Sequence, residues 1–461
     1  DSLFGKKSLI MEIEDQIQEI EHLARNIPNE IFFQFQTSLP EKFAIDADQV
    51  NQISSGMNDR DLNELLNNLL RQEHDLDENT SYNFEFLLND DFIKGTLKSH
   101  ILKHKLNAEQ TQVIYYTFAL EKPKLASTIE EEDWIISLAK AEKSSLGKSG
   151  YGIGFFDGSV ALYSADNKLL GKKKVATKAV KCMKFIERAT KDKSNVIVTG
   201  SADEVIRVSR ITQKKDSLTF ENVVLCEGHE DSVESLDTNP MNDFMFCSGG
   251  YDRSLKIWKV EENHFDALSK NASGEAENPR KKVKLSSSQL EPRTSSTLHL
   301  DAITKTVWAK PQTIITGALD HTIKFFDTNE LSEAVSINCK ENVPTALSYQ
   351  GNLLLAGQED GIIKLWDERV DNKQPLKIVK AHSKWIPDVK FHPNNANLFL
   401  SVSYDNTIKL WDMRSTFPLV TLKDPKEKLF AAEWNGENDF LVGGADSKII
   451  AYKFDVKQAK Y

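Results

Sequence analysis

The chain has 461 residues, 40% of them apolar and 28% charged, with a formal net charge of −11. That composition belongs to soluble globular domains, and the length suits two or three of them. No run of about 18 apolar residues occurs, so no membrane-spanning helix and no membrane partner are expected. The first residues, Asp1-Ser-Leu-Phe4, lack a charged region followed by an apolar block, so no secretory leader is expected. The negative charge is unevenly spread: residues 1–130 hold 12 Lys+Arg against 23 Asp+Glu, and the rest hold 46 of each. An acidic front on a neutral remainder argues against bulk phosphate binding and suits a basic or metal-bearing partner.

In chain order, Ile10, Ile13, Ile17, Ile20, Leu23 and Ile27 recur at spacings of three and four. This predicts an amphipathic helix over 8–27, ended by Pro28, within an N-terminal segment 1–30. Its apolar stripe suits either the next domain or a partner. Ile31 to Thr37 alternates and is aromatic-rich, a strand with Lys42–Ile45 as its hairpin partner. Asp59 or Asp61 caps a helix carrying Leu62, Leu65, Leu66, Leu69 and Leu70. Tyr82–Leu88 reads as a strand, Phe92-Ile93 as a short one, Thr96 as the cap of a turn holding Leu97 and Ile101, and Gln112–Phe118 as the last strand. The order ββαββ with a final central strand predicts an α+β domain over 31–118 that resembles the ubiquitin-like β-grasp.

A linker over 119–132 leads to Asp133-Trp-Ile-Ile-Ser-Leu138, the expected first strand of a second domain, 133–461. There an Asp is followed six residues later by an aromatic residue, again and again: Asp157 to Tyr163, Asp252 to Trp258, Asp320 to Phe326, Asp360 to Trp366, Asp405 to Trp411 and Asp446 to Tyr452. A degenerate copy, Asp203 to Ser209, makes seven, and its blade should have the weaker core. The Asp-to-Asp gaps are 46, 49, 68, 40, 45 and 41 residues, the period of WD-type propeller blades. The fold class is therefore mainly β, a seven-bladed WD-repeat β-propeller preceded by an α+β ubiquitin-like domain. The chain ends soon after the seventh copy, so a strand near 119–130 is the candidate for closing the ring.

The long gap holds a polar, Ser-rich stretch over about 262–297, expected to be a disordered rim loop. It carries Arg280, Lys281, Lys282 and Lys284 behind Pro279, a compact basic cluster of the nuclear-import kind.

His229, Ser248, Asp252 and Trp258 recur as His382, Ser401, Asp405 and Trp411, and as His299, Thr316, Asp320 and Phe326. A Ser–His–Asp set invites a hydrolase reading, but a nucleophile is needed once and this set recurs, so no enzyme is expected. The pattern resembles the hydrogen-bond network of WD-repeat blades. No Gly-rich phosphate loop and no Cys/His zinc spacing occurs. The four cysteines, Cys182, Cys226, Cys247 and Cys339, read as buried free thiols. Trp385, in the loop before an inner strand, is a candidate interface anchor.

The β-grasp domain, the Glu132-Asp-Trp134 junction, the Leu106-Asn-Ala-Glu109 approach to the last β-grasp strand, Phe86-Leu-Leu-Asn89 and the Arg280–Leu285 insertion together resemble the WD-repeat protein twelve family. This is the propeller subunit of the pescadillo–Bop complex in large-subunit ribosome assembly. The resemblance covers about 31–461. It implies a non-enzymatic assembly factor for the 60S subunit, needed for maturation of the 25S/28S and 5.8S rRNAs. It implies a propeller that binds a Bop-type WD-repeat protein alongside pescadillo, a nucleolar and nucleoplasmic location, and release from pre-60S particles by the AAA ATPase midasin. It also implies that Glu109 ligates an Mg²⁺ held in midasin's adhesion site, the chain having no cofactor or metal of its own. Two rivals stand beside it: a Notchless-like midasin-binding factor, expected to have eight blades, and a substrate-receptor propeller of a ubiquitin ligase, for which no adaptor motif is found.

Overall fold

The computed structural model describes residues 27–37, 43–46, 49–74, 82–88, 91–93, 95–119, 122–141, 150–186, 195–214, 217–242, 244–261, 288–340, 342–370, 374–414 and 418–454. The expected helix over 8–27 lies, but for its last residue, outside them. Two compact units emerge, joined where residue 121 meets Lys122.

In the first unit, strand β1 (Glu30–Gln36) turns Ile31, Phe33 and Phe35 inward, as its alternation requires. It pairs antiparallel with β2 (Asn51–Ser54) and parallel with β5 (Gln112–Phe118); β3 (Phe84–Leu88) and β4 (Asp91–Phe92) complete the order β2-β1-β5-β3-β4. The hairpin partner of β1 is therefore 51–54, not Lys42–Ile45. Tyr116 explains the difference: its hydroxyl donates to the Phe43 carbonyl at 2.6 Å and accepts from the Ile45 amide at 3.1 Å. That pins residues 43–45 over the core as a loop, and burial pushes the phenol up to about 12.

Helix α1 (Asp59–His74) buries Leu62, Leu66 and Leu70, each contributing roughly 1.5–3 kcal/mol. Its cap is Asn58 rather than Asp59 or Asp61. Asn58 Oδ1 accepts from the Arg60 and Asp61 amides, and Asp61 Oδ2 reaches back to the Asn58 amide at 3.0 Å, a reciprocal capping box. Helix α2 (Leu97–Lys103) is capped by Thr96, as its sequence predicts. One apolar core, including Phe33, Phe35, Leu66, Phe86, Ile101 and Ile114, holds helix and sheet together.

The second unit comprises, among the described residues, seven sheets of four or five strands. The first strand of each lies against the first strand of the next, and that of the seventh (Leu429–Trp434) lies against that of the first (Ile135–Ala141), so the sheets close into a seven-bladed propeller. Its blades start at Ile135, Val180, Val233, Ile303, Pro344, Asp388 and Leu429. The outer strand of blade seven is Lys124–Glu130, paired antiparallel with Lys448–Lys453. The segment 119–132 is thus more than a linker, since half of it closes the ring.

The repeated Asp has one job in all seven copies. Its Oδ1 accepts the amide two residues on: Ser159 (2.7 Å), Val205 (3.4 Å), Ser254, Thr322, Ile362 and Thr407 (3.0 Å each), and Lys448 (3.2 Å). The intervening residue adopts a positive φ in every copy, from 55° at Ser447 to 89° at Gly158. Only two of the seven are glycines, so the Asp side chain sustains a turn that other residues resist.

The expected loop over 262–297 is corrected at its end. Ser288–Leu290 adds a fifth, parallel strand to blade two, and Thr294–Thr297 is the outer strand of blade three. Leu290 packs with Val223, Val224, Cys226 and Trp258, reinforcing the blade whose motif is degenerate. Ser209, in the slot of the missing aromatic, is buried and bonds Asn222 Oδ1 at 2.9 Å. Residues 262–287, with Arg280, Lys281, Lys282 and Lys284, lie outside the described residues.

Candidate functional site

The loop carrying Glu109 is built from the end of α2. Lys105 turns left-handed (φ 50°), the Leu106 amide bonds the Ile101 carbonyl at 3.0 Å and the Lys105 amide bonds Leu102 at 3.2 Å. These are the two bonds of a Schellman cap, with Leu106 packed on the core beside Ile101. Asn107 then organises a tight turn: its side chain accepts the Glu109 amide at 3.0 Å, and its carbonyl accepts from Gln112 Nε2 at 2.8 Å. Glu109 sits exposed on this pinned turn, just before β5. Among the described residues its carboxylate makes no hydrogen bond or ion pair, so both oxygens are available to an external ligand.

The propeller brings its repeated polar residues together. In blade three, His229 Nδ1 meets Asp252 Oδ2 at 2.8 Å, His229 Nε2 meets Ser248 Oγ at 2.7 Å, and Trp258 Nε1 donates to the same Ser248 Oγ at 2.8 Å. Blade six repeats this with His382, Asp405, Ser401 and Trp411, and blade four with His299, Asp320 and Thr316. Burial alone would raise the Asp252 carboxyl, but bonds from His229 and Ser254 hold it well below the usual range; Asp405 is held down in the same way by His382 and Thr407. Burial lowers His299 and His382 despite their Asp partners. Ser248 and Ser401 are fully buried with their hydroxyls committed to His and Trp, so neither is open to a substrate. Among the described residues no cluster of His, Cys, Asp and Glu suits a metal ion. The four cysteines are free thiols; three are buried and Cys182 is half-buried.

Trp385 is 45% exposed and stacks on Tyr404, with ring centroids 6.0 Å apart. It is one end of an aromatic arc. Tyr404 meets Phe430 at 5.6 Å, Phe430 meets Trp134 at 6.1 Å, and Trp134 meets Phe156 at 5.5 Å. Trp134 and Phe156 are about half exposed, so blades six, seven and one share an apolar strip on the face formed by the loops entering their first strands. Of this strip only Trp385 was expected as an interface anchor from its place in the sequence. A signal for more was present: an aromatic residue directly before the turn Asp, as in Phe156-Asp157 and Tyr404-Asp405.

Carboxylates and lysines alternate around the central channel, a cavity of about 250 Å³. Lys181–Glu234 (3.3 Å), Lys184–Asp237 (3.1 Å), Lys305–Asp388 (3.5 Å) and Lys390–Glu433 (3.4 Å) tie inner strands of different blades. Every cation there has an acid partner, which makes the channel a structural seam rather than an anion site.

A β-grasp unit with an exposed carboxylate on a pinned turn, in one chain with a WD propeller whose buried polar sets are structural, has the architecture of a binding scaffold. Comparison with known proteins agrees. Residues 31–101 match the NLE (NUC135) domain, and residues 220–259, 338–367 and 373–412 match the WD domain, G-beta repeat. The chain is 27% identical over 411 residues to the ribosome biogenesis protein WDR12 homolog of Nematostella vectensis, covering 88% of this chain and 95% of that protein. It is 25% identical over 451 residues to the homolog of Chlamydomonas reinhardtii (92% and 98%) and 24% over 403 residues to that of Oryza sativa (84% and 88%). The chain is thus similar along most of its length to WDR12 homologues named as ribosome biogenesis proteins, with a match to the NLE domain followed by matches to WD repeats.

Proposed function

We propose that the chain is a detachable grip for assembling large ribosomal subunits. The propeller holds a Bop-type WD-repeat partner, with pescadillo, on the pre-60S particle. The β-grasp head offers Glu109 as the outside ligand of an Mg²⁺ held by midasin, and the ATP-driven pull strips the complex away so that 25S/28S and 5.8S rRNA maturation proceeds. The observation that carries this is the unpaired carboxylate on a pinned turn. Mg²⁺ takes hard oxygen ligands, and a preorganised carboxylate loses little freedom on binding it. The acidic N-terminal part favours approach to a cation. The aromatic arc supplies the propeller's grip, since large rigid side chains at the centre of an interface dominate its energy. The cluster Arg280–Lys284 serves import to the nucleoplasm and nucleolus.

Affinity purification of the tagged chain tests the reading. Pescadillo and a Bop-type protein should be recovered, and Trp385→Ala with Trp134→Ala should cut that recovery at least tenfold while the chain stays folded. Recovery of cullin adaptors in their place would reject it in favour of the ubiquitin-ligase alternative. A chain lacking 279–285 should accumulate in the cytoplasm; unchanged nuclear import would remove that role from the cluster.

A further inference from the structure

Blade seven takes its outer strand from the segment that follows the β-grasp unit in the chain. Among the described residues Ala119 is the last hydrogen-bonded to the β-grasp sheet, its amide bonding the Asn83 carbonyl, and the closing strand begins at Lys124. Tension passed along the chain from the head therefore reaches the propeller at this strand.

The strand is held unequally along its length. No side chain from Lys124 to Glu130 is fully buried; Leu125 is 55% exposed, and only Ser127 and Ile129 are half-buried. At the end nearest the head, Lys124 lies opposite Lys453 and Leu125 opposite Tyr452, next to a register shift. The shift interrupts the ladder there, and the exposed Leu125 adds no buried packing to hold it. The far end is clamped. Lys448 Nζ bonds Glu130 at 2.5 Å, and the Glu131 amide bonds the Ser447 carbonyl at 2.8 Å. The Glu131 carboxylate, 7% exposed, accepts from the Tyr163 hydroxyl and from Lys172 Nζ at 2.8 Å, both on blade one. Ser127 adds a further cross-link, accepting from Asn167 of blade one at 2.6 Å. Three residues beyond Glu131 comes Trp134, whose ring meets Phe430 across the junction of blades one and seven. The clamp and the aromatic arc thus share one seam.

Building on the reading that the head is pulled, we propose that strand 124–130 is a peel-and-hold strap that carries tension from the head to the partner-gripping face. Tension frays the weak Lys124 end first. It then reaches the Glu130–Glu131 clamp, opens the seam of blades one and seven, and separates Trp134 and Phe156 from Phe430. The pull loosens the grip by disassembling its anchor, without having to break the whole interface at once.

Single-molecule pulling of the full chain, with handles clicked to positions 109 and 300, tests this. The first event should release a length of about 24 Å, the span of seven extended residues, before any blade unfolds. A Ser127→Cys/Ala451→Cys chain, cross-linked across a registered pair, should lose that event when oxidised and regain it on reduction. Glu131→Gln should open at lower force. Blades that unfold with the strap still in place, or an early event that persists in the oxidised chain, would overturn the proposal. The chain is pulled alone, so that failure would leave the Mg²⁺ reading untouched. Loss of the Mg²⁺ reading would in turn leave the strap's mechanics intact but without this motor.

Discussion

In blade three, Trp258 donates to Ser248, which bonds His229, which bonds Asp252. In blade five, Trp366 sits at the same place in the same Asp-to-Trp motif, but Ala356 replaces the serine and the loop Cys339–Val343 has no histidine. The indole Nε1 of Trp366 is buried without an acceptor. The motif alone does not distinguish the two blades, and both match the WD repeat. What the motif guarantees is the turn: Asp360 accepts the Ile362 amide at 3.0 Å, as Asp252 accepts that of Ser254. The polar network is a separate, optional reinforcement, and apolar packing with Leu347, Leu354 and Ile315 suffices for Trp366.

The contrast should be visible in stability. His229→Ala or His382→Ala strands a buried hydroxyl and a carboxylate, and should cost about 2–4 kcal/mol in denaturant unfolding. Cys339→Ala, in the corresponding loop of blade five, removes a buried thiol from an apolar site and should cost under about 1.5 kcal/mol. Equal losses would show that blade five hides a network of its own.

Acid should act on the same blades. The Asp252 and Asp405 carboxyls are held below their unfolded value, so the stability they supply is full above roughly pH 4 and fades as pH falls through the folded value. His299 and His382 are held neutral below their unfolded value, so protonation of the unfolded chain begins to erode stability already below about pH 6.5. Hydrogen exchange followed from pH 7 to pH 4 should therefore show blades four and six loosening before blade five, with blade three following only as the pH falls below about 4. The smallest effect is the reverse repair: Ala356→Ser gives Trp366 an acceptor and should stabilise by about 0.5–1.5 kcal/mol, read from the same unfolding curves.

Legibility from sequence followed the range of the forces involved. The Asp turns, the Thr96 cap and the leucine face of α1 are set by residues within a few positions of each other, and the chain displays them directly. The pairing of β1 with 51–54 depended on Tyr116, some 70 residues away, gripping Phe43 and Ile45. The parallel strand 288–290 on blade two is another long-range choice, made by Leu290 finding the apolar cluster around Trp258. The closing strand was foreseeable because a ring with an unpaired edge demands one. The aromatic arc was harder, because Phe156, Trp134, Phe430, Tyr404 and Trp385 meet only when blades one, seven and six do. Glu109 stood out by resemblance alone; its openness is a property of the turn that Asn107 and Gln112 build around it.

The most direct measurement is a titration of the whole chain against midasin's adhesion domain, with Mg²⁺ and with EDTA. Binding should saturate in Mg²⁺ and be abolished by EDTA, and a Glu109→Ala chain should keep its melting temperature and no longer bind. Undiminished binding by that variant, or binding that survives removal of the ion, would contradict the ligand role of Glu109.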